Sequence, residues 1–400
     1  MSSRSTYRLF LLSLAVALER TAAGLLATLG IFFVTETTGV PTPDALATLG
    51  AFQALTYLAG IAGGTLADRL LGRTQAMLCG AAVLALGYAV LAATPREQLL
   101  LPGLLLIVGH GLFKPSLAAE VGQVGAELAA EQWYYFAANV GLALGPLLGS
   151  FARSVSGWSA AFGLSAAAAA LVLPVLLHYR ALTTIATSRD AAGSSDGKAK
   201  YPRESGSRSM QALLFLLVAV VVHGIAYHQV GGSLLLYASE LHRQKLHGSQ
   251  VSPIVFGALP AVFTLLLMPL LAGANRRFPR LLSPHRQLLI GSAATAAGFV
   301  VLLIGEVLGG TPFALTLALL VITLGEVLLL PTSLQLAVVA LPTRHRTFSA
   351  ALWCTAVAAG QWLAGLVGGV FSEWPHTEFF VLHALIAFCS GLLFFMGCDR

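Results

Sequence analysis

The chain consists mostly of apolar segments that are each long enough to cross a lipid bilayer. A spanning helix needs about 20 predominantly apolar residues. Six such segments precede a polar stretch rich in Ser, Gly, Lys and Arg, and six follow it. This pattern predicts an all-α integral membrane protein with twelve transmembrane helices. The predicted spans lie near residues 9–34, 45–68, 75–94, 99–125, 133–152, 158–179, 210–237, 252–274, 287–308, 312–341, 348–371 and 378–397.

The composition excludes a soluble protein. Hydrophobic residues make up 57% of the chain and charged residues only 10%, whereas a soluble domain carries roughly 25% charged residues. Lipid must therefore cover most of the surface. The first apolar segment follows Arg4 and Arg8 and is too long for the hydrophobic region of a signal peptide, so we interpret it as the first spanning helix.

The symmetric arrangement of the spans predicts two six-helix bundles, residues 1–180 and 209–400. Residues 181–208 are too polar to bury themselves and are predicted to form a cytoplasmic linker. Transporters built from two repeated halves bind substrate between the halves near the middle of the membrane. We expect the chain to function as a monomer.

The distribution of positive charge predicts the orientation in the membrane. Cytoplasmic loops carry an excess of Lys and Arg. With the N-terminus in the cytoplasm, only Arg96, Arg153, Arg243 and Lys245 of the 23 Lys and Arg residues fall in outer loops. Both termini are therefore predicted to be cytoplasmic, and the basic character of the chain does not indicate nucleic-acid binding.

Several charged residues interrupt the predicted spans. A charge near the bilayer centre costs at least ~2.5–3.5 kcal/mol, which marks it as a candidate functional residue. The alternative is a structural ion pair between helices. Lys114 precedes Pro115, and Glu326 precedes Pro331 by little more than one turn, so helix breaks are expected beside both charges. The candidates are Glu19, Arg20, Lys114 and Glu326, joined by His223 and His228; His110, His178 and His383 are expected to be structural or interfacial.

The junction between the second and third spans carries a glycine-rich and charged motif. It comprises Gly64, Asp68, Arg69, Gly72 and Arg73. Glycine lets helices approach closely, and Asp68 can cap or pair with a neighbouring helix end. The motif resembles the cytoplasmic loop signature of the major facilitator superfamily, which implies a role in gating and structure.

Six further segments resemble elements of the proton-dependent oligopeptide transporter family, in the same order along the chain. They lie in both predicted halves. They are Tyr57–Gly60, Gly111–Ser116, Ala138–Gly141, Tyr227–Gln229, Glu326–Pro331, and Leu352–Trp353 with Gln361.

The resemblance implies a role for each matched residue. Arg20 and Lys114 would hold a peptide carboxylate, and Glu326 would face its amine and form an inner gate with Lys114. A zwitterion is recognised in this way by cationic side chains at its carboxylate and an anionic side chain at its amine. Proton coupling would involve Glu19, Lys114, His228 and Glu326. Tyr57, Asn139, Trp353 and Gln361, with His228, would line the cavity. The implied function is proton-coupled uptake of di- and tripeptides or peptide-like zwitterions by alternating access, with no cofactor and no metal.

The first helix departs from the family pattern. Of its charged signature only Glu19 and Arg20 remain, and the positions of two family tyrosines hold Ala23 and Gly24. Either the pocket beside Arg20 is wider, or a neighbouring helix moves closer. The outer-gate arginine of the family falls on Ala27 and its partner on His228, so an outer salt-bridge gate is not expected.

Two other functions are compatible with parts of the sequence. The glycines and proline over residues 141–149 resemble the helix 5 pattern of drug/proton antiporters, which favours export, although simple helix packing explains the same residues. A membrane enzyme is disfavoured because the sequence carries no HExxH motif, nucleophile elbow or phosphate-binding loop. Short loops and many alanines indicate a bacterial inner membrane.

Overall fold

A computed structural model describes residues 3–93, 98–124, 128–190, 210–245, 254–277, 282–340 and 346–398. Helices account for nearly all of them, as predicted. The helices are α1 (Ser3–Thr38), α2 (Thr42–Leu66), α3 (Arg73–Ala93), α4 (Leu100–Val124), α5 (Leu128–Asp190), α6 (Met210–Tyr227), α7 (Ser233–Lys245), α8 (Ile254–Arg277), α9 (Pro284–Val307), α10 (Pro312–Ala340), α11 (Arg346–Gly368) and α12 (His376–Cys398).

Eleven helical segments within the described ranges are long and apolar enough to cross a membrane. Helices α6 and α7 count as one segment, because a short 3₁₀ turn, His228–Gly231, joins them. Helix α5 is exceptionally long and extends to Asp190, into the predicted linker. The remainder of that linker, residues 191–208, lies outside the described residues.

A sharp change of backbone direction divides α5. Ser156 has φ −144° and ψ 23°, and Gly157 has φ +75° and ψ −166°. A residue with a Cβ atom rarely adopts the positive φ of Gly157, so glycine is needed at this position. The helical segments on either side match the fifth and sixth predicted spans.

The described helices group into two compact units. Unit 1 comprises Met1–Leu26 and Leu58–Ser205, and unit 2 comprises Ala27–Tyr57 and Gly206–Arg400. The end of α1 and the first part of α2 thus group with the C-terminal helices, which differs from a division at the linker alone.

Glycine allows close helix packing throughout unit 1. A Cβ atom at Gly63 of α2 would overlap the carbonyl group of Gly111 on α4, and one at Gly80 of α3 would lie 2.8 Å from the Phe113 nitrogen. Membrane helices associate mainly through such small-residue contacts, because lipid provides no hydrophobic driving force between them. These glycines therefore fix how α2 and α3 pack against α4.

The glycine pattern of α5 packs against α1. A Cβ atom at Gly145 would lie 2.5 Å from the Thr21 carbonyl oxygen, and one at Gly141 would overlap the Ala17 carbonyl. From the other side, a Cβ atom at Gly24 would lie 3.3 Å from Pro146. Helix α5 therefore fills the space beside Gly24. This corresponds to the second alternative for the altered α1 face, in which a neighbouring helix lies closer.

Unit 2 is stabilised by apolar clusters and by further glycine contacts. One buried cluster joins α6, α7, α9, α10 and α12 around Phe299, Leu319 and Phe379. Helix α2 approaches α11 at Gly50, where a Cβ atom would lie 2.9 Å from the Gly365 Cα atom. The two helices are therefore in backbone contact at these glycines.

A charged cluster joins three helices of unit 2 at one end. His376, at the start of α12, lies 3.1 Å from Glu240 of α7 and 3.2 Å from Glu306 of α9. The Tyr237 hydroxyl donates to Glu306 over 2.6 Å, and the Phe371 ring stacks on His376. The polar side chains at this end of α7, α9 and α12 therefore form hydrogen bonds and ion pairs with one another.

Candidate functional site

Glu19 and Arg20 are neighbours on α1 and bind each other directly. Arg20 Nε donates to Glu19 Oε2 over 2.6 Å, and Arg20 Nη2 donates to Glu19 Oε1 over 2.8 Å. Only 1% of Glu19 is exposed. A bidentate contact between charged groups is strong and fixes the guanidinium plane. Glu19 therefore orients Arg20 and balances its charge inside the membrane.

His110 of α4 completes this buried group. Its Nδ1 atom lies 3.0 Å from Glu19 Oε1, and the residue is 4% exposed. Lys114, one turn later on α4, interacts electrostatically with both Glu19 and Arg20. We call Glu19, Arg20, His110 and Lys114 the α1–α4 cluster. Three of its members were predicted site residues, whereas His110 was expected to be structural; its i, i+4 spacing from Lys114 is the signal that places both on one helix face.

Glu326 of α10 forms the centre of a second group, in unit 2. The Tyr227 hydroxyl of α6 lies close enough to its carboxyl group to interact with it. The rings of Tyr227 and His228 meet edge to face with centroids 5.1 Å apart, and His223 stacks on Tyr227 at 6.4 Å. The predicted residues His228 and Glu326 are therefore linked through Tyr227, which the sequence analysis had assigned no role.

Three other predicted cavity residues also belong to unit 2. Trp353 Nε1 donates to Ser333 Oγ over 3.0 Å. Tyr57 and Trp353 pack against the same apolar cluster, which includes Leu336. Gln361 is buried, and its Oε1 atom has no hydrogen-bond partner among the described residues. An unsatisfied buried acceptor is costly, so Gln361 is a good candidate for contact with a ligand.

Two amide side chains bond mainly to backbone. Asn139, a predicted cavity residue, donates from Nδ2 to the Tyr135 carbonyl of its own helix over 2.9 Å. Gln229 donates from Nε2 to the carbonyls of Ile225 and Ala364, each over 3.0 Å. Gln229 therefore anchors the turn between α6 and α7 to α11, which is a structural role.

The expected helix breaks at Pro115 and Pro331 do not occur. Both prolines lie inside continuous helices, α4 and α10. Proline removes the hydrogen bond to the carbonyl four residues earlier, which for Pro115 is that of Gly111. Gly63 of α2 packs against this carbonyl, so helix packing covers a site that the sequence analysis had assigned to a cavity.

The loop motif forms a compact turn after α2. Residues Ala67–Leu71 make one π-helical turn, which ends where the Gly72 nitrogen donates to the Ala67 carbonyl over 2.8 Å. Gly72 has φ +77°, which favours glycine. Asp68 Oδ1 lies 3.6 Å from Arg73 Nε at the start of α3, while Arg69 is exposed. Gly64 lies close to the Pro115 side chain.

The predicted residues divide between the two units. Unit 1 contains Glu19, Arg20, Lys114 and Asn139; unit 2 contains Tyr57, His228, Glu326, Trp353 and Gln361. The predicted Lys114–Glu326 gate would join residues of different units, and it stays a prediction.

A family model described as Major Facilitator Superfamily matches residues 9–365. The chain belongs to this superfamily. Its members are transporters rather than enzymes, which agrees with the helical fold and the buried charges.

Curated relatives of this superfamily member are peptide transporters. The peptide transporter YePEPT of Yersinia enterocolitica is 26% identical over 415 aligned residues, covering 83% of this chain and 80% of that protein. Dipeptide and tripeptide permease A of Edwardsiella piscicida is 24% identical, and the alignment covers 94% of this chain and 87% of that protein.

Solved structures share the fold. The peptide transporter POT in complex with sulfate superimposes with a TM-score of 0.83 at 22% identity, over 98% of this chain and 94% of that one. A POT family transporter in complex with 5-aminolevulinic acid gives a TM-score of 0.82 at 18% identity, over 97% and 95%.

Proposed function

We propose that this protein imports di- and tripeptides or peptide-like zwitterions together with protons, across the inner membrane of a bacterium. The observation that carries the proposal is the pair of opposite charges in its two units. The α1–α4 cluster offers the cations Arg20 and Lys114, and unit 2 offers the carboxyl group of Glu326. The names of the curated relatives support the same substrate class.

In this proposal the α1–α4 cluster holds the substrate carboxylate. Arg20 is already oriented by Glu19, so little side-chain entropy is lost when the substrate binds. Lys114 adds a second positive charge, and Asn139 lies on α5, which packs against α1. Glu326 faces the substrate amine, and Tyr227 holds its carboxyl group in place. Tyr57, Trp353 and Gln361 contact the rest of the substrate.

Proton coupling acts through the inner gate. Protonation of Glu326, assisted by His228, removes the negative charge that attracts Lys114. The two halves then rock about the substrate, as in other transporters built from repeats.

The proposed topology has twelve spans. Helix α5 contributes two of them on either side of Ser156–Gly157, and α6 with α7 contributes one. An even number of spans places both termini on the same side, and the excess of Lys and Arg makes that side the cytoplasm. The protein acts as a monomer of two six-helix halves.

The direct test is uptake of labelled dialanine into proteoliposomes, with and without an inward proton gradient. We expect gradient-driven accumulation in the wild type. Glu326→Gln removes the titrating group but keeps its shape, so proton-driven accumulation should be abolished while exchange of internal for external dialanine survives. Normal accumulation by Glu326→Gln would refute the coupling role.

The alternative of drug export loses its main support. The α5 glycine pattern that suggested it packs directly against α1. Those residues are explained by helix packing and carry no information about the direction of transport.

A further inference from the structure

The α1–α4 cluster contains one group that the transport mechanism above does not use, namely His110. It is almost completely buried and lies 3.0 Å from Glu19 Oε1, the same oxygen that accepts from Arg20. Histidine is the side chain whose ordinary pKa falls in the physiological range. A buried histidine in contact with a carboxylate, beside two cations, is therefore a candidate for reversible protonation.

The charges of the cluster decide when His110 takes up a proton. Glu19 contributes one negative charge, and Arg20 and Lys114 contribute one positive charge each. Burial and the nearby cations Lys114 and Arg20 all disfavour a positive charge on His110. A substrate carboxylate beside Arg20 and Lys114 adds a negative charge that offsets this repulsion. Protonated His110 then lies near two carboxylates instead of one, so each ligand favours the binding of the other.

Other titratable groups near the cluster do not alter this balance. Tyr88 of α3 and Tyr134 of α5 interact electrostatically with Glu19 and Arg20. Both are phenols with an ordinary pKa near 10, so they remain neutral at physiological pH. Next to His110, at Gly111, α2 presents the uncharged residues Ala59 and Gly63.

We propose that His110 is the proton-binding residue of unit 1, and that it takes up one proton from water when a substrate carboxylate binds beside Arg20 and Lys114. The His110 Nδ1 atom stays 3.0 Å from Glu19 Oε1, and the incoming proton converts the neutral ring to an imidazolium with both nitrogens protonated. The proton leaves when the substrate leaves. This inference rests on the proposed function, because it assumes a carboxylate substrate.

The experiment is isothermal titration calorimetry of the purified protein with dialanine near pH 7, in two buffers of different ionisation enthalpy. The difference between the measured enthalpies gives the number of protons taken up per bound dialanine. We expect His110→Asn and His110→Gln, which keep a side-chain donor beside Glu19 but cannot be protonated, to take up about one proton fewer per bound dialanine than the wild type. Any protonation of Glu326 contributes equally to the wild type and to both variants.

Two control variants separate His110 from other groups. Lys114→Arg keeps a cation that cannot lose its proton, and it should retain proton uptake even where its affinity falls. His178→Asn changes an exposed histidine of the same unit, hydrogen-bonded to Tyr7, and should match the wild type. Unchanged proton uptake in both His110 variants, or its loss in Lys114→Arg alone, would overturn the inference.

Failure of the proposed function has a different signature. If the wild type binds no dialanine, the peptide assignment fails, and the titration is repeated with inorganic sulfate as the anion. Proton uptake with sulfate that is lost in His110→Asn would still support the role of His110. Absence of proton uptake by the wild type with both dialanine and sulfate would overturn the inference.

Discussion

At the scale of single residues, the contact between Tyr227 and Glu326 has the clearest functional consequence. Glu326 lies within an apolar helix, and the Tyr227 hydroxyl lies near its carboxyl group. A phenol that donates to a carboxylate contributes about 1.5–3 kcal/mol. Tyr227 therefore positions the carboxyl group on which the proposed mechanism depends.

Removing this hydroxyl should weaken substrate binding. We expect Tyr227→Phe to raise the KM for dialanine about tenfold, which corresponds to ~1.4 kcal/mol, because Glu326 is no longer held towards the substrate amine. Uptake assays in proteoliposomes at saturating and limiting dialanine would separate KM from the maximal rate. Tyr7→Phe, which removes a hydroxyl bonded to the exposed His178, is the control. An unchanged KM in Tyr227→Phe would show that the Tyr227 hydroxyl has no role in binding.

Sequence reasoning located the buried charges but not their partners. Glu19, Arg20, Lys114 and Glu326 are conspicuous because each interrupts an apolar helix. Which of them meet depends on distances between helices, and helical spacing along one segment does not determine these. The Glu19–Arg20 contact lies within one helix and depends on side-chain conformation. The contacts of Glu19 with His110 and of Glu326 with Tyr227 depend on how different helices pack.

At the scale of helices, glycine determines how closely the elements of each unit approach. Gly63 and Gly60 lie one turn apart on α2. A Cβ atom at Gly63 would overlap the Gly111 carbonyl, while one at Gly60 would meet no atom of the described residues within 4 Å. Substituting alanine at each of these two positions therefore distinguishes the effect of helix packing on stability from the effect of helix propensity.

We expect Gly63→Ala to destabilise the protein by about 1–3 kcal/mol, the usual cost of overpacking. Gly60→Ala should be neutral or slightly stabilising, because alanine favours the helix by roughly 0.5–1 kcal/mol over glycine. The comparison is the midpoint of thermal unfolding in one detergent. Equal midpoints for the two variants would contradict the close α2–α4 packing.

Helix positions were predictable because the bilayer sets their length. The departures have local causes. Pro115 and Pro331 stay within continuous helices, since neighbouring helices can cover the backbone groups that proline leaves free. The link at Ser156–Gly157 is so short that α5 continues across two predicted spans, a matter of backbone angles rather than of hydrophobicity.

At the scale of the whole molecule, the orientation in the membrane is open to a direct test. We expect a green fluorescent protein fused to the C-terminus to be fluorescent in cells and an alkaline phosphatase fused there to be inactive, because the C-terminus is proposed to be cytoplasmic. The same phosphatase inserted between Ser156 and Gly157, at the link proposed to face outwards, should be active. The reverse pattern of activities would invert the topology.

The superfamily was recognisable in the sequence from the loop motif at Gly64–Arg73, and the family model agrees. The sequence does not show which distant helices pack together. Residues Ala27–Tyr57 join the C-terminal helices because small residues such as Gly50 and Gly365 allow backbone contact, and the sequence does not state which distant helix a glycine will meet.

The backbone contact between Gly50 and Gly365 has a consequence for the energetics of the transport cycle. It involves no formal charge, and at contact range its strength comes from dispersion forces. Neither the ionic strength of the medium nor the membrane voltage acts on such a contact. Any dependence on salt or voltage in a step that separates these two glycines must therefore come from other groups, such as the charges of the proposed Lys114–Glu326 gate.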